Sequence, residues 1–198
     1  MEMGERLATE VKQYILSFCP ISCISKISFI GHSIGGLIIR AALPHLAEFA
    51  PKFFTYISLG SPHLGYMYNS NKLFDAGMWL MKKWRNSRCL TQLSMTDQRL
   101  YEETCLFRLT TLPGLEWFKN VMLVCSIQDQ YAPFDSTRIQ ICKAALQEHN
   151  ASDQATQAAA SDSNNRGNQY IAMAQNLLTN LNTKLLYRLD VNFHIKDK

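Results

Sequence analysis

The chain has 198 residues, of which 47% are hydrophobic, and its 20 basic and 16 acidic side chains give a net charge of +4. This length fits one domain, and this apolar content is enough for a sizeable core. The small, scattered charge does not favour binding to nucleic acid, and no apolar stretch approaches the roughly 20 residues that span a bilayer.

The first predicted element is an amphipathic helix. Its apolar residues recur at helical spacing from Leu7 to Phe18, and Pro20 ends it. A secretory signal peptide would be basic and then apolar, whereas this segment is acidic. The six cysteines show no metal-ligand spacing, and several lie in apolar runs typical of buried thiols. We therefore expect a cytoplasmic location and predict neither a metal nor a cofactor.

The most informative stretch is Gly31-His32-Ser33-Ile34-Gly35, which fits the Gly-x-Ser-x-Gly nucleophile elbow of serine hydrolases. An apolar run before it predicts a buried strand, and apolar residues at helical spacing after it predict a helix. In this context the glycines relieve crowding and the turn exposes Ser33. We therefore expect Ser33 in a strained turn, with Gly31 and Gly35 too crowded for side chains.

The later elements alternate between strands and helices. Strands are predicted at 53–59, 120–126 and 185–193, helices at 136–147 and 169–181, and mixed helical and irregular structure at 70–118. Residues 147–169 are poor in large apolar side chains, which predicts a disordered surface insertion. The alternation indicates an α/β class, with a mostly parallel sheet and helices on both faces.

A nucleophilic serine needs a base, and the base needs an acid that orients it. In the order typical of this motif the acid follows the serine at the end of a later strand, which fits Asp129 after strand 120–126. Pro133 would stiffen that loop. Asp135 is the alternative acid, although it lies where the next helix is expected to begin.

Two histidines follow Asp129 and are candidates for the base. His149 lies at the start of the predicted insertion, whereas His194 lies at the end of the last strand. Only four residues follow His194, too few to fold a supporting loop over the site. We therefore expect neither histidine within hydrogen-bond reach of Ser33, although His194 is the better candidate for the base.

Other residues near the elbow are expected to line the site. The Ile34 N–H is predicted to stabilise the oxyanion, and His32 to line the floor. His63 and Leu64 belong to a loop after strand 53–59, so we expect them at the substrate pocket. A second oxyanion donor is not apparent, because the residues before the elbow strand predict only a helix.

The segment 73–84 combines apolar residues at helical spacing with nearby basic side chains. Three interpretations stay open for it. The simplest is an amphipathic helix packed on the sheet, with its basic end at the negative end of the helix dipole. It also fits a lid over an acyl pocket or a helix that lies on a lipid surface.

Three separated segments, 29–40, 58–68 and 119–133, carry a resemblance to a known family. In them the chain resembles the serine esterase domain of lipase-like α/β-hydrolases, and most of all the C-terminal domain of a large animal protein family. The resemblance implies Ser33 as nucleophile and Asp129 as acid. It also implies early strands with an oxyanion loop and a histidine after the last strand. We therefore expect one α/β-hydrolase-like domain over 1–198, incomplete at both ends.

Two functions follow from these observations. The first is hydrolysis of carboxylic esters, from lipid or acyl substrates, by Ser33, with low activity because the site is incomplete. The second is a non-catalytic interaction module that keeps the fold. The elbow and Asp129 favour the first, whereas the doubtful base favours the second. Neither predicts a nucleic-acid partner.

Overall fold

The structure is a computed structural model that describes residues 1–19, 21–68, 88–155, 165–179, 181 and 185–194. Its strands are β1 (Ile27–His32), β2 (Phe53–Leu59), β3 (Asn120–Cys125) and β4 (Leu186–Asp190). Its α-helices are α1 (Glu2–Phe18), α2 (Ile34–Ala42), α3 (Arg88–Leu93), α4 (Cys105–Thr110), α5 (Phe134–Thr137), α6 (Lys143–Ala155) and α7 (Arg166–Leu178). Short 3₁₀ segments are Ile21–Cys23, Leu43–Lys52, Tyr101–Glu103 and Leu115–Trp117.

The four strands form one parallel sheet in the order β1-β2-β3-β4. At its carboxyl edge His32 pairs with Leu59, and Leu59 pairs with Val124. The ends of the strands therefore meet along one edge, where ligands bind in open α/β sheets. The sheet and the helices around it confirm the α/β class and are consistent with an α/β-hydrolase-like fold.

The core lies on one face of this sheet. Val121 and Leu123 of β3 are buried there, and Phe53 stacks on Phe118 with 4.8 Å between ring centroids. Helices cover the two faces of the sheet unequally. The strand residues Ile30 and Leu189 remain 67% and 43% exposed, which shows that the other face is less covered. Parallel strands in sequence order place their connecting helices on the same face when the crossovers have the usual right hand, and this tendency agrees with the unequal exposure.

Helix α1 packs on the domain through part of the predicted apolar stripe, Leu7, Val11 and Ile15, and also through two small residues. Gly4 and Ala8 are buried, whereas Tyr14 and Phe18 are 62% and 71% exposed. A Cβ at Gly4 would lie 2.6 Å from the Cβ of Ala41, so α1 and α2 are in close backbone contact. This contact fixes the buried face of α1. Among the described helices, none is long and apolar enough to cross a membrane.

The predicted helix at 136–147 is interrupted. Helix α5 ends at Thr137 and α6 begins at Lys143, with Ile139 at a positive φ of 51° between them. Ile139 is fully buried, so packing of its side chain holds a backbone conformation that a branched residue rarely adopts. Helical periodicity does not reveal such a break.

The prediction of disorder across 147–169 is wrong at both ends of that segment. Residues up to Ala155 belong to α6, and α7 begins at Arg166 after Asn165, whose side chain accepts hydrogen bonds from two N–H groups as a cap. A Cβ at Gly167 would lie 2.6 Å from the Ala145 oxygen, so α6 and α7 also pack through small residues. Residues 156–164, like segment 73–84, lie outside the described residues.

Candidate active site

Ser33 occupies the turn between β1 and α2. Its φ of 52° and ψ of −126° place it in a region that non-glycine residues rarely adopt. The Ser33 N–H donates to the Leu59 oxygen at 2.9 Å, which anchors the turn to the neighbouring strand. Backbone strain of this kind costs on the order of 1–3 kcal/mol and is typical of functional sites. The strained strand-to-helix turn predicted for Ser33 is confirmed.

Close backbone packing around the elbow involves a different pair of glycines from the one predicted. A Cβ at Gly31 would lie 2.6 Å from both the N and the Cα of Gly36. A Cβ at Gly36 would lie 2.3 Å from the Ser61 hydroxyl. Gly35 has open space around it, with no atom within 4 Å of its Cβ position. The predicted crowding is therefore correct for Gly31 and wrong for Gly35, because Gly36 faces the strand.

The Ile34 N–H lies at the start of α2, directly after Ser33. The first N–H groups of a helix have no partner within it, and the helix dipole favours negative charge there. An oxyanion that forms beside Ser33 would find this donor already oriented. The oxyanion role of Ile34 stays a prediction.

Asp129 lies in the loop after β3, at the same edge of the sheet as Ser33. Its Oδ1 accepts hydrogen bonds from the N–H groups of Tyr131 and Ala132 at 2.8 and 3.0 Å. Its Oδ2 faces Gly60, where a Cβ would lie 3.1 Å away. Gly60 directly follows Leu59, whose carbonyl accepts the hydrogen bond from the Ser33 N–H. The end of β2 therefore contacts both the Ser33 turn and the Asp129 loop. The loop thus holds one carboxylate oxygen through backbone N–H groups and leaves the other beside Gly60, at the end of β2.

An open crevice of about 530 Å³ lies at this edge of the sheet. Residues from the ends of all four strands contribute to its wall, including His32, Gly60, Asp129, Val191 and Phe193. His32 therefore lines this crevice, and its role toward a substrate stays a prediction. Asp135, the alternative acid, is in helix α5 and is absent from the described lining of this crevice.

Tyr66 is a neighbour of Asp129 that the sequence did not reveal. Burial, and then the negative charge of Asp129, raise the pKa of Tyr66 to about 12. The Tyr66 N–H donates to the Leu93 oxygen at 2.9 Å, which fixes the loop that follows β2. An aromatic residue after a loop motif carries no distinctive pattern, so only the three-dimensional arrangement identifies it.

The two candidate bases lie in different places. His149 is in helix α6, with its Nδ1 2.7 Å from the Asn168 side-chain oxygen. His194 is exposed and follows Phe193, which is joined to Gln128 by two hydrogen bonds, one of them from the Gln128 amide at 3.0 Å. These bonds hold the end of β4 beside the Asp129 loop. Among the described residues, no hydrogen bond joins a histidine to Ser33 or Asp129.

The sequence matches the family described as "Putative serine esterase (DUF676)" over residues 1–144, well over half of the chain. The chain belongs to this family. The matched region includes Ser33 and Asp129, whereas helix α7, strand β4 and His194 lie outside it. The chain is also 42% identical over 65 residues to "Putative lipase ROG1" of Saccharomyces cerevisiae. The match covers 30% of this chain and 10% of that protein, so the chain spans a small part of its relative.

His63 and Leu64 of this DUF676 domain lie away from the crevice where they were expected. Both are 0% exposed. His63 Nε2 lies 2.8 Å from the Ser58 hydroxyl, and its Nδ1 lies 3.3 Å from Nη1 of Arg40. Because Arg40 only donates, Nδ1 accepts and Nε2–H donates to Ser58. The loop after β2 folds into the interior of the domain. There His63 contacts Arg40 of α2, the helix that follows the elbow.

Arg40 is the centre of this buried network. It is 3% exposed, and its guanidinium donates to the carbonyl oxygens of His63 and Leu109 at 3.5 and 3.0 Å. No carboxylate among the described residues pairs with it. Burial lowers the pKa of Arg40 to about 10, so it stays charged at neutral pH. Nearby, the Tyr56 hydroxyl donates to the Gly36 carbonyl at 3.0 Å, which ties β2 to the first turn of α2.

The network predicts a pH dependence of stability. Burial and then the charge of Arg40 hold the pKa of His63 well below 6.5, so the folded domain keeps it neutral. The unfolded chain binds a proton near pH 6.5, so the free energy of unfolding falls below that pH by up to about 1.4 kcal/mol per unit. Urea unfolding between about pH 5 and pH 8 measures this slope.

A matched pair of variants assigns the slope. His63→Gln removes the titrating group and is expected to flatten the slope, although it lowers the stability at all pH values. His45 is exposed, so His45→Gln is expected to keep both the slope and the stability. A full slope in His63→Gln would show that another group is responsible.

Proposed function

We propose that this chain is a lipase-like serine hydrolase domain that cleaves carboxylic esters of acyl or lipid origin. The observation that carries the proposal is the position of Ser33, at φ 52° between β1 and α2, on the edge that also holds Asp129. The family match supports an esterase, because it spans both residues. The proposed substrate is thus an ester or lipid-like small molecule.

In the proposed reaction the Ser33 hydroxyl oxygen attacks the ester carbonyl carbon, and an imidazole takes the hydroxyl proton. Asp129 orients that imidazole through its Oδ2, and the Ile34 N–H stabilises the negative oxygen of the tetrahedral intermediate. Collapse of the intermediate releases the alcohol, which takes the proton from the imidazole. Water then attacks the acyl-Ser33 carbonyl with the same base and releases the acid.

His194 is the base that we assign within this chain. Support comes from the Gln128–Phe193 hydrogen bonds, which keep its segment beside the Asp129 loop. Its exposure and its lack of a described bond to Asp129 or Ser33 argue for a poorly aligned imidazole. A cytoplasmic location completes the proposal, supported by six cysteines that are all free thiols.

We expect slow hydrolysis of p-nitrophenyl butyrate by the purified chain, only a few-fold above its Ser33→Ala variant. General base catalysis contributes about 10²–10⁴-fold when the base is aligned, and most of that is missing here. Initial rates of the chain, Ser33→Ala and His194→Ala measure both contributions. A large Ser33-dependent rate that falls in His194→Ala would show an aligned base. Equal rates with and without Ser33 would favour the non-catalytic module.

A further inference from the structure

A second cavity lies behind the elbow, between helices α1, α2, α3 and α4. Its volume is about 60 Å³. Helix α2 contributes Ile34, Leu37 and Ala41, which lie along one side of that helix. Helices α3 and α4 contribute Cys89 and Cys105 from the opposite wall. The cavity is separate from the crevice at Asp129, with which it shares no described lining residue.

The cavity begins at the residue that follows the nucleophile. Ile34 is one of its lining residues, and the Ile34 N–H is the proposed oxyanion donor. Helix α2 rises about 1.5 Å per residue, so the lining stripe from Ile34 to Ala41 runs about 10 Å from the elbow. A carbonyl bound at the Ile34 N–H would thus have a channel for its substituent beside α2.

The chemistry of the wall selects an apolar substituent. Among the described lining residues, Gln92 is the single polar side chain and none is charged. Such a wall has no charged side chain for a phosphate and few hydrogen-bonding groups for a sugar, whereas hydrocarbon gains about 0.8 kcal/mol for each buried CH₂. An apolar protein cavity of about 150 Å³ accepts the six carbons of benzene. By proportion, about 60 Å³ holds roughly two or three carbons.

We propose that this cavity binds the acyl chain of a short-chain ester, with about two or three carbons beyond the carbonyl. The proposal rests on the proposed esterase function, because it assigns the substrate class for the same serine. The proposal places the acyl and alcohol parts of the substrate at different positions. The acyl chain enters the cavity beside α2, and the alcohol lies toward the open crevice with His32 and Asp129.

The two cavity cysteines make binding measurable without catalysis. Cys89 and Cys105 are partly exposed, so iodoacetamide reaches them, and Cys23 is an exposed thiol away from this cavity. The alkylation rate of each is followed by peptide mass spectrometry in the Ser33→Ala variant, with and without methyl butyrate or methyl laurate. We expect methyl butyrate to slow alkylation of Cys89 and Cys105 several-fold and to leave Cys23 unchanged. Methyl laurate should protect them less.

A filled cavity supplies the control. Cys105→Phe places a ring in the cavity and is expected to abolish the protection of Cys89 by methyl butyrate. Cys105→Ser changes the volume little and is expected to retain it. Unchanged alkylation of Cys89 and Cys105 with methyl butyrate, or protection of Cys89 that persists in Cys105→Phe, would overturn the proposal.

The test also separates this proposal from the proposed function. Protection of the cysteines in a chain whose Ser33 fails to react with a serine-hydrolase probe would keep the cavity and reject the esterase. A reactive Ser33 without any protection would keep the esterase and reject the cavity as its acyl site.

Discussion

Replacing Gly31 with alanine is expected to lower the free energy of unfolding by about 3 kcal/mol, at the upper end of overpacking effects. The new Cβ would lie 2.6 Å from backbone atoms of Gly36, and backbone cannot move aside as a flexible side chain can. Either β1 or α2 must shift, and Ser33 sits between them. Urea unfolding measures the loss, and reaction of Ser33 with a probe should slow in parallel.

Gly35→Ala is the matched control for this prediction. Its Cβ would meet no atom within 4 Å, and alanine in a helix is favoured over glycine by about 1 kcal/mol. We therefore expect Gly35→Ala to be neutral or slightly stabilising. Equal effects of the two substitutions would contradict the described packing of the elbow.

Arg40→Ala is expected to lower the free energy of unfolding by about 3–5 kcal/mol, because two buried acceptors lose their donor and a large buried side chain is removed. The substitution leaves His63 Nδ1 and the Leu109 carbonyl without their donor, and it opens a cavity behind α2. Each buried polar group without a partner costs about 1–3 kcal/mol. Urea denaturation and circular dichroism at pH 7 measure the loss.

Two further variants identify the cause of the Arg40 effect. Arg40→Lys keeps a positive charge but cannot reach His63 and Leu109 together, so it should recover only part of the stability. Arg108 is exposed on α4, and Arg108→Ala should change the stability by less than about 0.5 kcal/mol. A loss of less than about 1 kcal/mol in Arg40→Ala would show that the network contributes little.

The local features of the site were predictable from the sequence. The turn at Ser33 depends on residues adjacent in the chain, and the strand before Asp129 is a continuous apolar run. The carboxyl ends of parallel strands meet at one edge, so the proximity of the two loops followed from the order of the elements.

The buried hydrogen bonds of Arg40 and His63 were not predictable, because they join distant parts of the chain. Arg40 bonds to residues 23 and 69 positions away, and nothing near it in the sequence marks it as buried. His63 looked like a pocket residue since it follows a strand, but its loop turns inward. Gly36 likewise depends on a tertiary contact with Ser61.

The helical ends of the segment 147–169 were missed for a similar reason. Helices α6 and α7 pack through Ala145 and Gly167, which do not add to the apolar content that separates ordered from disordered segments. Helix α1 likewise has a close contact with α2 through Gly4 and Ala41, in addition to the packing of its predicted apolar stripe. A pattern of large apolar residues does not indicate where small residues pack closely.

The most direct test of the central claim is labelling of the purified chain with a fluorophosphonate probe, with the modified residue located by peptide mass spectrometry. We predict modification at Ser33, its loss in Ser33→Ala, and a slower reaction in Asp129→Asn, with Asp135→Asn as the control that reacts at the parent rate. Labelling that persists in Ser33→Ala, or a folded chain that takes up no probe at Ser33, would contradict the assignment of Ser33 as the nucleophile.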